Sequence, residues 1–238
     1  MKIGVLTAMS SEHDRIVSLM EQVSEETHGT FKYTKGVLGG NTLILQQCGI
    51  GKVNAALGSA ALINAYSPDC VISTGVAGGI DKSLNVMDVV VSQNVVYHDV
   101  WCGEGNEYGQ VQGLPAQYEG AKALCEVALK LNEKQNTKIH AGLICTGDQF
   151  ITARKELDVI KSHFPKGLAV DMESAAIAQT CYIYNVPFVS FRIISDTPGN
   201  TEDHATQYAD FWGEMATRSF EVTRLFLASV SAICIRNN

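Results

Sequence analysis

The sequence predicts a three-layer α/β/α protein with a mixed, mostly parallel central sheet. Apolar runs of strand length alternate with helical segments along the chain. Small residues stand at the crossovers between them, as expected for helices packed on both faces of such a sheet. No composition break, linker or repeat divides the 238 residues, and we therefore expect one domain over residues 1–238.

The first 80 residues predict a strand, a helix, a hairpin, a second helix and a buried strand, in that order. Ser10 or Ser11 suits a helix N-cap, and Gly39-Gly40-Asn41 separates two apolar segments. The expected strands are residues 2–9, 31–38, 42–48 and 69–74, and the expected helices are residues 10 to about 23 and 53–65. We expect residues 75–79, Gly-Val-Ala-Gly-Gly, to form a loop whose backbone N–H groups face a ligand.

The remaining residues continue the alternation. Residues 100–117 are rich in glycine and have no clear period, which predicts a long loop. The expected strands are residues 86–96, 139–145 and 188–194, and the expected helices are residues 121–132, 152–162 and one long helix in the last 30 residues. Side chains near helical spacing predict that last helix: Tyr208, Phe211, Trp212, Met215, Phe220 and Phe226.

Residues 169–196 are the most informative stretch for function. Asp171 and Glu173 stand among apolar or small residues, and the apolar strand 188–194, expected in a parallel sheet, is followed closely by Asp196. Ligands of open α/β sheets bind beyond the carboxyl ends of the strands, so Asp196 lies where a site is expected. Buried carboxylates are rare unless they are paired or used in chemistry. The alternative, that Glu173 caps a helix and Asp196 caps a turn, fits the segment equally well.

Composition and charge exclude several classes of function. A formal net charge of −7 and a pI near 5.3 argue against binding to a nucleic-acid backbone. The sequence has no apolar run long enough to span a membrane, and its start does not resemble a signal peptide. The seven cysteines are scattered and never form a Cys-x-x-Cys pair, which predicts reduced thiols in a cytoplasmic protein and no zinc site.

Two short motifs have competing interpretations. Residues 49–54, Gly-Ile-Gly-Lys-Val-Asn, resemble half of a dinucleotide fingerprint, but Asn54 replaces the third glycine, which disfavours a dinucleotide-dependent oxidoreductase. The same residues lack the pattern of a phosphate-binding loop and predict a tight strand-to-helix turn. His98-Asp99 is a pair found in metal phosphohydrolases, yet no other histidine clusters with it in the sequence, and a structural hydrogen bond is the favoured use.

Three carboxylates form the strongest candidate constellation. Glu12, Glu173 and Asp196 each follow a separate strand unit. Together they can supply a general base, an acceptor for hydroxyl groups and a general acid. Their spacing in the sequence does not show whether they meet in space.

Eight short motifs occur in the order found in one enzyme family. They are Ala8-Met9-x-x-Glu12, Gly49-Ile-Gly51-Lys-Val-x-Ala55-Ala56, Thr74-Gly75-x-Ala77-Gly78-Gly79, Tyr97-His98-Asp99, Glu107-Tyr108-Gly109-Gln110, Gly147-Asp148-x-Phe150-Ile151, Met172-Glu173 and Ile194-Ser195-Asp196. Over about residues 1–230 the chain resembles the 5′-methylthioadenosine/S-adenosylhomocysteine nucleosidases of the nucleoside phosphorylase superfamily. The resemblance implies a nucleoside phosphorylase-like fold, a homodimer, no cofactor or metal ion, and irreversible hydrolysis of the N9–C1′ bond to adenine and a 5-thioribose.

The resemblance also implies a role for each site residue. Asp196 is expected to protonate adenine N7, Glu12 to deprotonate the attacking water with help from Arg192, and Glu173 to bind the ribose hydroxyls. The expected substrate contacts are Met9 and Met172 beside the sugar, Phe150 stacked on the base, the main chain of Ile151 at the base edge, and Ile50, Val76, Ala77, Gly78, Ser195 and Tyr208. Residues 101–115 are expected to reach the site of the partner subunit.

Several alternatives stay open. Phosphorylases of the superfamily hold phosphate with an Arg and a Ser where this chain has Ser73 and Val76, and Glu12 repels phosphate, so hydrolysis is favoured. Val76 replaces a small, often polar residue of the family, and Tyr208 occupies the place of an aromatic residue over the 5′-substituent. These two positions leave the preferred substrate open, and 6-amino-6-deoxyfutalosine is one of the alternatives. A non-catalytic nucleoside-binding protein is a further candidate, although all three acidic positions are filled.

Overall fold

The computed structural model describes residues 1–134, 136–198, 204–212 and 216–231. The strands are β1 (Lys2–Thr7), β2 (Glu21–His28), β3 (Phe31–Leu38), β4 (Asn41–Gln47), β5 (Cys70–Gly79), β6 (Val89–Tyr97), β7 (Tyr118–Glu119), β8 (Ile139–Thr146), β9 (Gly167–Asp171) and β10 (Phe188–Asp196). The helices are α1 (Ser10–Val17), α2 (Lys52–Tyr66), α3 (Lys122–Lys130), α4 (Arg154–His163), α5 (Ser174–Tyr184), α6 (His204–Asp210) and α7 (Ala216–Ser229).

These strands form one mixed sheet with the order β10-β6-β8-β9-β5-β1-β4-β3-β2, and β7 pairs with β6. At its centre β1 pairs in parallel with β4 and β5, and β5 pairs in parallel with β10. A second parallel set joins β6, β8 and β9. The predicted mixed α/β class is therefore confirmed. The organisation as one domain stays a prediction, which this continuous sheet supports.

The sheet also closes on itself through β5. Residues 71–78 pair with β10, and the last two residues of the strand, Gly78 and Gly79, also pair antiparallel with β9. Because β10, β6, β8 and β9 are already neighbours, this second pairing completes a ring of five strands. Gly78 pairs with both Val170 and Asp196, so the carboxyl ends of β9 and β10 meet at the end of β5.

Helices cover both faces of the sheet. Side chains alternate between the faces of a strand, and in β5 Ile72 joins an apolar cluster with α1, α3 and α7 that includes Ile16 and Phe226. The neighbouring Val71 joins a second cluster with α2 and α5 that includes Leu62. The small residues of α2 and α5 let these two helices lie against each other and against the sheet.

Most predicted elements agree with the structure to within a few residues, but two expectations near the N-terminus were wrong. The helix α1 ends at Val17 instead of near residue 23, and residues 21–28 form β2, an edge strand paired antiparallel with β3. β2 is polar and almost fully exposed, so it has no apolar pattern, and only its pairing with β3 makes it a strand. Residues 75–79 are also not a loop, because they belong to β5.

The expected C-terminal helix corresponds to two helical segments, α6 and α7, and residues 213–215 between them, which include Met215, lie outside the described residues. One further expectation was wrong. β10 is not purely parallel, since it pairs antiparallel with β6. The short strands β7 and β9 were not predicted. Among the described residues, none of the helices combines the length and apolar character that crossing a bilayer requires.

Candidate active site

A cavity opens where β1, β4, β5, β9 and β10 end, next to the loop that follows β8. Every predicted site residue except Arg192 lines this cavity, and Ala8, Gln149, Val170 and Asp171 complete its wall. Glu12, Glu173 and Asp196 thus lie around one space, although they are far apart in the sequence. Their chemical roles stay predictions.

Glu12 is fixed by backbone groups from two elements. Its Oε2 accepts the N–H groups of Ala8 at 2.9 Å and Met9 at 3.0 Å, and its Oε1 accepts the N–H of Val76 at 3.0 Å. Because Met9 is the N-cap of α1, Glu12 also caps its own helix. Burial raises the pKa of Glu12, while Arg192 and the three N–H donors act in the opposite direction.

Glu173 occupies the N-cap position of α5, but its side chain does not cap that helix, so the alternative of a simple cap was wrong. Its Oε1 instead accepts the backbone N–H of Gly51 at 3.0 Å, and its Oε2 lies 3.6 Å from Nη2 of Arg192. Burial raises the pKa of Glu173 to about 7, the charge of Arg192 opposes this shift, and the neighbouring charge of Asp171 adds to it.

Asp196 is aimed into the cavity by an irregularity in β10. Ile194 pairs with Ala77 and Asp196 pairs with Gly78, so Ser195 is an extra residue on β10. A bulge of this kind turns the following side chain away from the regular alternation. The hydroxyl of Ser195 donates a hydrogen bond of 2.7 Å to Oδ1 of Asp196, which is only 3% exposed.

Arg192 lies behind the wall and does not line the cavity. The side chains of Arg192 and Asp171 are each 1% exposed, and Nε of Arg192 is 2.9 Å from Oδ2 of Asp171. Nη2 of Arg192 donates to the hydroxyl of Ser73 at 2.8 Å. Asp171 also accepts hydrogen bonds from the hydroxyls of Thr146, at 2.6 Å, and Ser174. Arg192 therefore holds other residues in place and is not placed to touch a bound molecule.

The backbone of β5 passes very close to these charged groups. A Cβ atom added to Gly75, whose φ is +151°, would collide with Oε1 of Glu12 and lie 2.8 Å from Nη1 of Arg192. Glycine is needed here because the Cβ of any other residue would occupy space that the side chains of Glu12 and Arg192 already fill. Residues 75–79 form a strand because they pair with β10 and β9, and the bare backbone at Gly75 lets this strand lie against both side chains.

The other side of the cavity carries aromatic side chains. Phe150 and Tyr208 meet edge to face with their ring centroids 5.8 Å apart, and the hydroxyl of Tyr208 lies 3.7 Å from Sδ of Met9. Burial raises the pKa of Tyr208, and the charges of Glu12, Asp196 and Glu173 raise it further. Tyr208 lies on α6, so this helix contributes a side chain to the wall of the cavity.

Sequence reasoning missed the importance of Asp171 as the partner of Arg192. The signal was present, since Asp171 is an acid in an apolar segment, but only the fold shows that β9 and β10 bring it to Arg192. Within the described part of the chain, no group of three His, Cys, Asp or Glu side chains has the arrangement of a metal site.

Comparisons with known proteins cover almost the whole chain. A family model described as the phosphorylase superfamily matches residues 2–228. A 5′-methylthioadenosine/S-adenosylhomocysteine nucleosidase from Desulfotalea psychrophila is 39% identical over 223 residues, which are 93% of this chain and 95% of that protein. The crystal structure of the Neisseria meningitidis nucleosidase with methylthio-immucillin-A is similar with a TM-score of 0.90 and 35% identity, over 96% of this chain and 99% of that chain. The Colwellia psychrerythraea nucleosidase with adenine gives a TM-score of 0.89 and 36% identity, over 96% and 95% of the two chains.

Replacing Asp171 by Asn tests the buried ion pair. We expect Asp171→Asn to lower the free energy of unfolding by about 3 kcal/mol, because it leaves the buried guanidinium of Arg192 without its closest counter-charge. Denaturant unfolding of the parent and the variant measures the difference. The matched control is Asp158→Asn in the exposed Arg154–Asp158 pair, where we expect a loss of about 0.5 kcal/mol or less. Equal losses in both variants would contradict the expectation.

Proposed function

The chain belongs to the phosphorylase superfamily, and we propose that it hydrolyses the N-glycosidic bond of 5′-methylthioadenosine and S-adenosylhomocysteine, releasing adenine and a 5-thioribose. Relatives that carry this activity in their names match almost the whole chain. One observation on the cavity carries the choice of reaction. Its lining contains four carboxylates, Glu12, Asp171, Glu173 and Asp196, and no Lys, Arg or His among the described residues.

That charge balance favours water over phosphate as the attacking group. A phosphate dianion needs cationic or N–H donors, and the guanidinium of Arg192 is buried behind the wall and paired with Asp171. The N–H of Val76, in the segment where phosphorylases hold phosphate, donates to Glu12 instead. Water carries no charge and is not repelled by these carboxylates.

Asp196 acts as the general acid. Its proton passes to N7 of the adenine, the C1′–N9 bond breaks, and the bonding electron pair remains on the purine, which leaves as neutral adenine. A buried carboxyl is easier to keep protonated than an exposed one, and the Ser195 hydroxyl is placed to hold the Asp196 carboxyl group in position. Loss of the base leaves the sugar with oxocarbenium character at C1′.

Glu12 acts as the general base for the attacking water. A water molecule hydrogen-bonded to Glu12 attacks C1′, and its proton passes to the carboxylate, which gives the 5-thioribose. Three N–H donors fix the carboxylate and favour its ionised form. The net reaction consumes one water, and proton exchange with solvent restores Asp196 and Glu12 for the next cycle.

Glu173 binds the ribose hydroxyls and the aromatic residues enclose the rest of the substrate. Glu173 is held in place by the Gly51 N–H and Arg192. Phe150 and Ile151 bind the base, Met9 and Met172 flank the sugar, and Tyr208 lies over the 5′-substituent. The remaining contacts come from Ile50, Val76, Ala77, Gly78 and Ser195, which line the same cavity.

We also propose that the protein is a cytoplasmic homodimer in which residues 101–115 reach the partner's site. Val53 and Leu57 on α2 are 70% and 56% exposed, and Ile183 on the neighbouring α5 is 60% exposed. Clusters of exposed apolar side chains of this kind mark interaction surfaces. Ile50 is 51% exposed and also lines the cavity, so the patch adjoins the site. Free cysteines among the described residues support a reducing compartment.

Adenine release without phosphate tests the reaction. We expect the protein to release adenine from 5′-methylthioadenosine at the same rate with and without phosphate, because water is the attacking group. Asp196→Asn should lower kcat by roughly a hundredfold or more, since general acid catalysis is lost, while calorimetry still detects binding. Release that depends on phosphate would indicate a phosphorylase, and binding without turnover by the parent would indicate a nucleoside-binding protein.

The pH dependence of kcat/KM tests the ionised carboxylates. Because the pKa of Glu173 is raised to about 7 and that of Glu12 is also raised, both become protonated at higher pH than exposed carboxylates do. We therefore expect kcat/KM to fall as the pH drops through about 7. In Glu173→Gln, the residual activity should show only the acid-side decline that protonation of Glu12 causes. A profile that is flat down to the ordinary carboxyl pKa of about 4.3 would contradict this.

The solution mass tests the homodimer. We expect light scattering to give twice the chain mass of 25.7 kDa for the parent and a single chain mass for Leu57→Glu, because a charge inside an apolar interface opposes association. Activity should fall with the loss of the partner's loop. The control is Val159→Glu on α4, which is also exposed, at 49%, but lies outside the patch. A parent protein that is monomeric at assay concentration would contradict the proposal.

A further inference from the structure

Lys52 and Asp99 form an ion pair at the edge of the cavity that the proposed mechanism does not use. Nζ of Lys52 lies 2.8 Å and 2.7 Å from the two carboxylate oxygens of Asp99. The side chains of Lys52 and Asp99 are only 23% and 18% exposed, and Nζ also lies 5.5 Å from the ring centroid of Tyr97. A pair that is this well shielded and bidentate is stronger than an ordinary surface ion pair.

Hydrogen bonds also join these two residues to Asp148, so that Lys52, Asp99 and Asp148 form a closed circuit of polar contacts. Oδ2 of Asp99 accepts the backbone N–H of Asp148 at 2.9 Å, and Oδ1 of Asp148 accepts the backbone N–H of Lys52 at 2.8 Å. The circuit therefore ties together the first residue of α2, the segment after β6 and the loop after β8. These are the three motifs around Gly51-Lys52, His98-Asp99 and Gly147-Asp148.

The turn at Gly51 and the loop after Asp148 both continue into the cavity wall. On one side, the N–H of Gly51 donates to Glu173 at 3.0 Å, and Ile50 lines the cavity. On the other side, Phe150 and Ile151 line the cavity two and three residues after Asp148. Phe150 is 59% exposed, so packing alone fixes it weakly, and its place depends on the backbone of this loop.

We propose that Lys52 and Asp99 are positioning residues, which couple the turn that holds Glu173 to the loop that carries Phe150. This inference rests on the proposed function, in which these two parts bind the sugar and the base of one nucleoside. Breaking the ion pair leaves the four cavity carboxylates and the bond from the Lys52 N–H to Asp148 in place. It removes the link from the turn to Asp99, so the turn and the loop are joined less firmly and can shift relative to each other. A displacement of about 1 Å at such contacts costs up to roughly a hundredfold in rate.

The first test uses Lys52→Met and Asp99→Asn, with adenine as the probe. We expect each variant to bind adenine about tenfold more weakly by calorimetry and to raise KM for 5′-methylthioadenosine more than it lowers kcat. The double variant should bind adenine no more weakly than the more impaired single variant does, because both substitutions break the same ion pair. Lys52→Arg should restore most of the affinity, since a guanidinium also pairs with both oxygens of a carboxylate.

The matched control is Lys161→Met. Lys161 and Asp81 form a pair of similar exposure, at 26% and 31%, with Nζ and Oδ2 3.0 Å apart, and neither residue lines the cavity. We expect this control to leave adenine affinity and KM within twofold of the parent. Parent-like adenine affinity in both test variants, whatever their melting temperatures, would overturn the proposal. An equal loss in the control, or a change of solution mass in the test variants alone, would also overturn it.

Adenine binding separates this proposal from the proposed function. Calorimetry needs no turnover, so the affinities of the variants remain measurable if the parent does not hydrolyse 5′-methylthioadenosine. A parent that binds adenine without hydrolysis would contradict the proposed reaction only. A hydrolytic parent whose variants keep their adenine affinity would contradict only the positioning role.

Discussion

The buried pairing of Arg192 with Asp171 is the constraint on which the rest of the site depends. Removing a guanidinium and a carboxylate from water is costly, and the cost is offset only by close contact and by hydrogen bonds to the remaining polar atoms. The structure supplies both, through the 2.9 Å contact with Asp171 and the hydroxyls of Ser73, Thr146 and Ser174. Because these groups come from β5, β8, β9, β10 and the start of α5, the ion pair fixes the mutual position of four strands of the ring and of the helix that follows Glu173.

The strand ring in turn explains why the carboxylates converge. Gly78 pairs with both β9 and β10, which places Asp196 beside the segment that carries Glu173. The bare backbone at Gly75 leaves the space in which the carboxylate of Glu12 and the guanidinium of Arg192 come close together beside β5. Glu12 is held by N–H groups from both the start of α1 and β5, so its position depends on the sheet as much as on its own helix.

The sequence was sufficient to predict the alternation of strands and helices, the β3–β4 hairpin and most of the residues that line the cavity. It was insufficient where pairing between distant segments decides the structure. β2 is a strand only because β3 lies beside it, and residues 75–79 are a strand wall only because β9 and β10 flank them. The partner of Arg192 was hidden for the same reason, since nothing in the spacing of Asp171 and Arg192 shows that β9 and β10 converge on Gly78.

The charge of the site opposes folding and assists the reaction. Burial raises the pKa of Glu12 and of Glu173 above the ordinary value of an exposed glutamate. A carboxyl whose pKa is raised in the folded state contributes stability below its unfolded pKa, and this contribution is lost as the pH rises through the folded value. Near and above pH 7 the ionised carboxylates therefore cost folding free energy, which the Arg192–Asp171 pair and the strand ring must offset. In the mechanism we propose, the same negative charges face the sugar, where positive charge develops as the C1′–N9 bond breaks. Fixed charges stabilise such a transition state without reorganising. A neutral cavity would fold more easily but would lose that stabilisation.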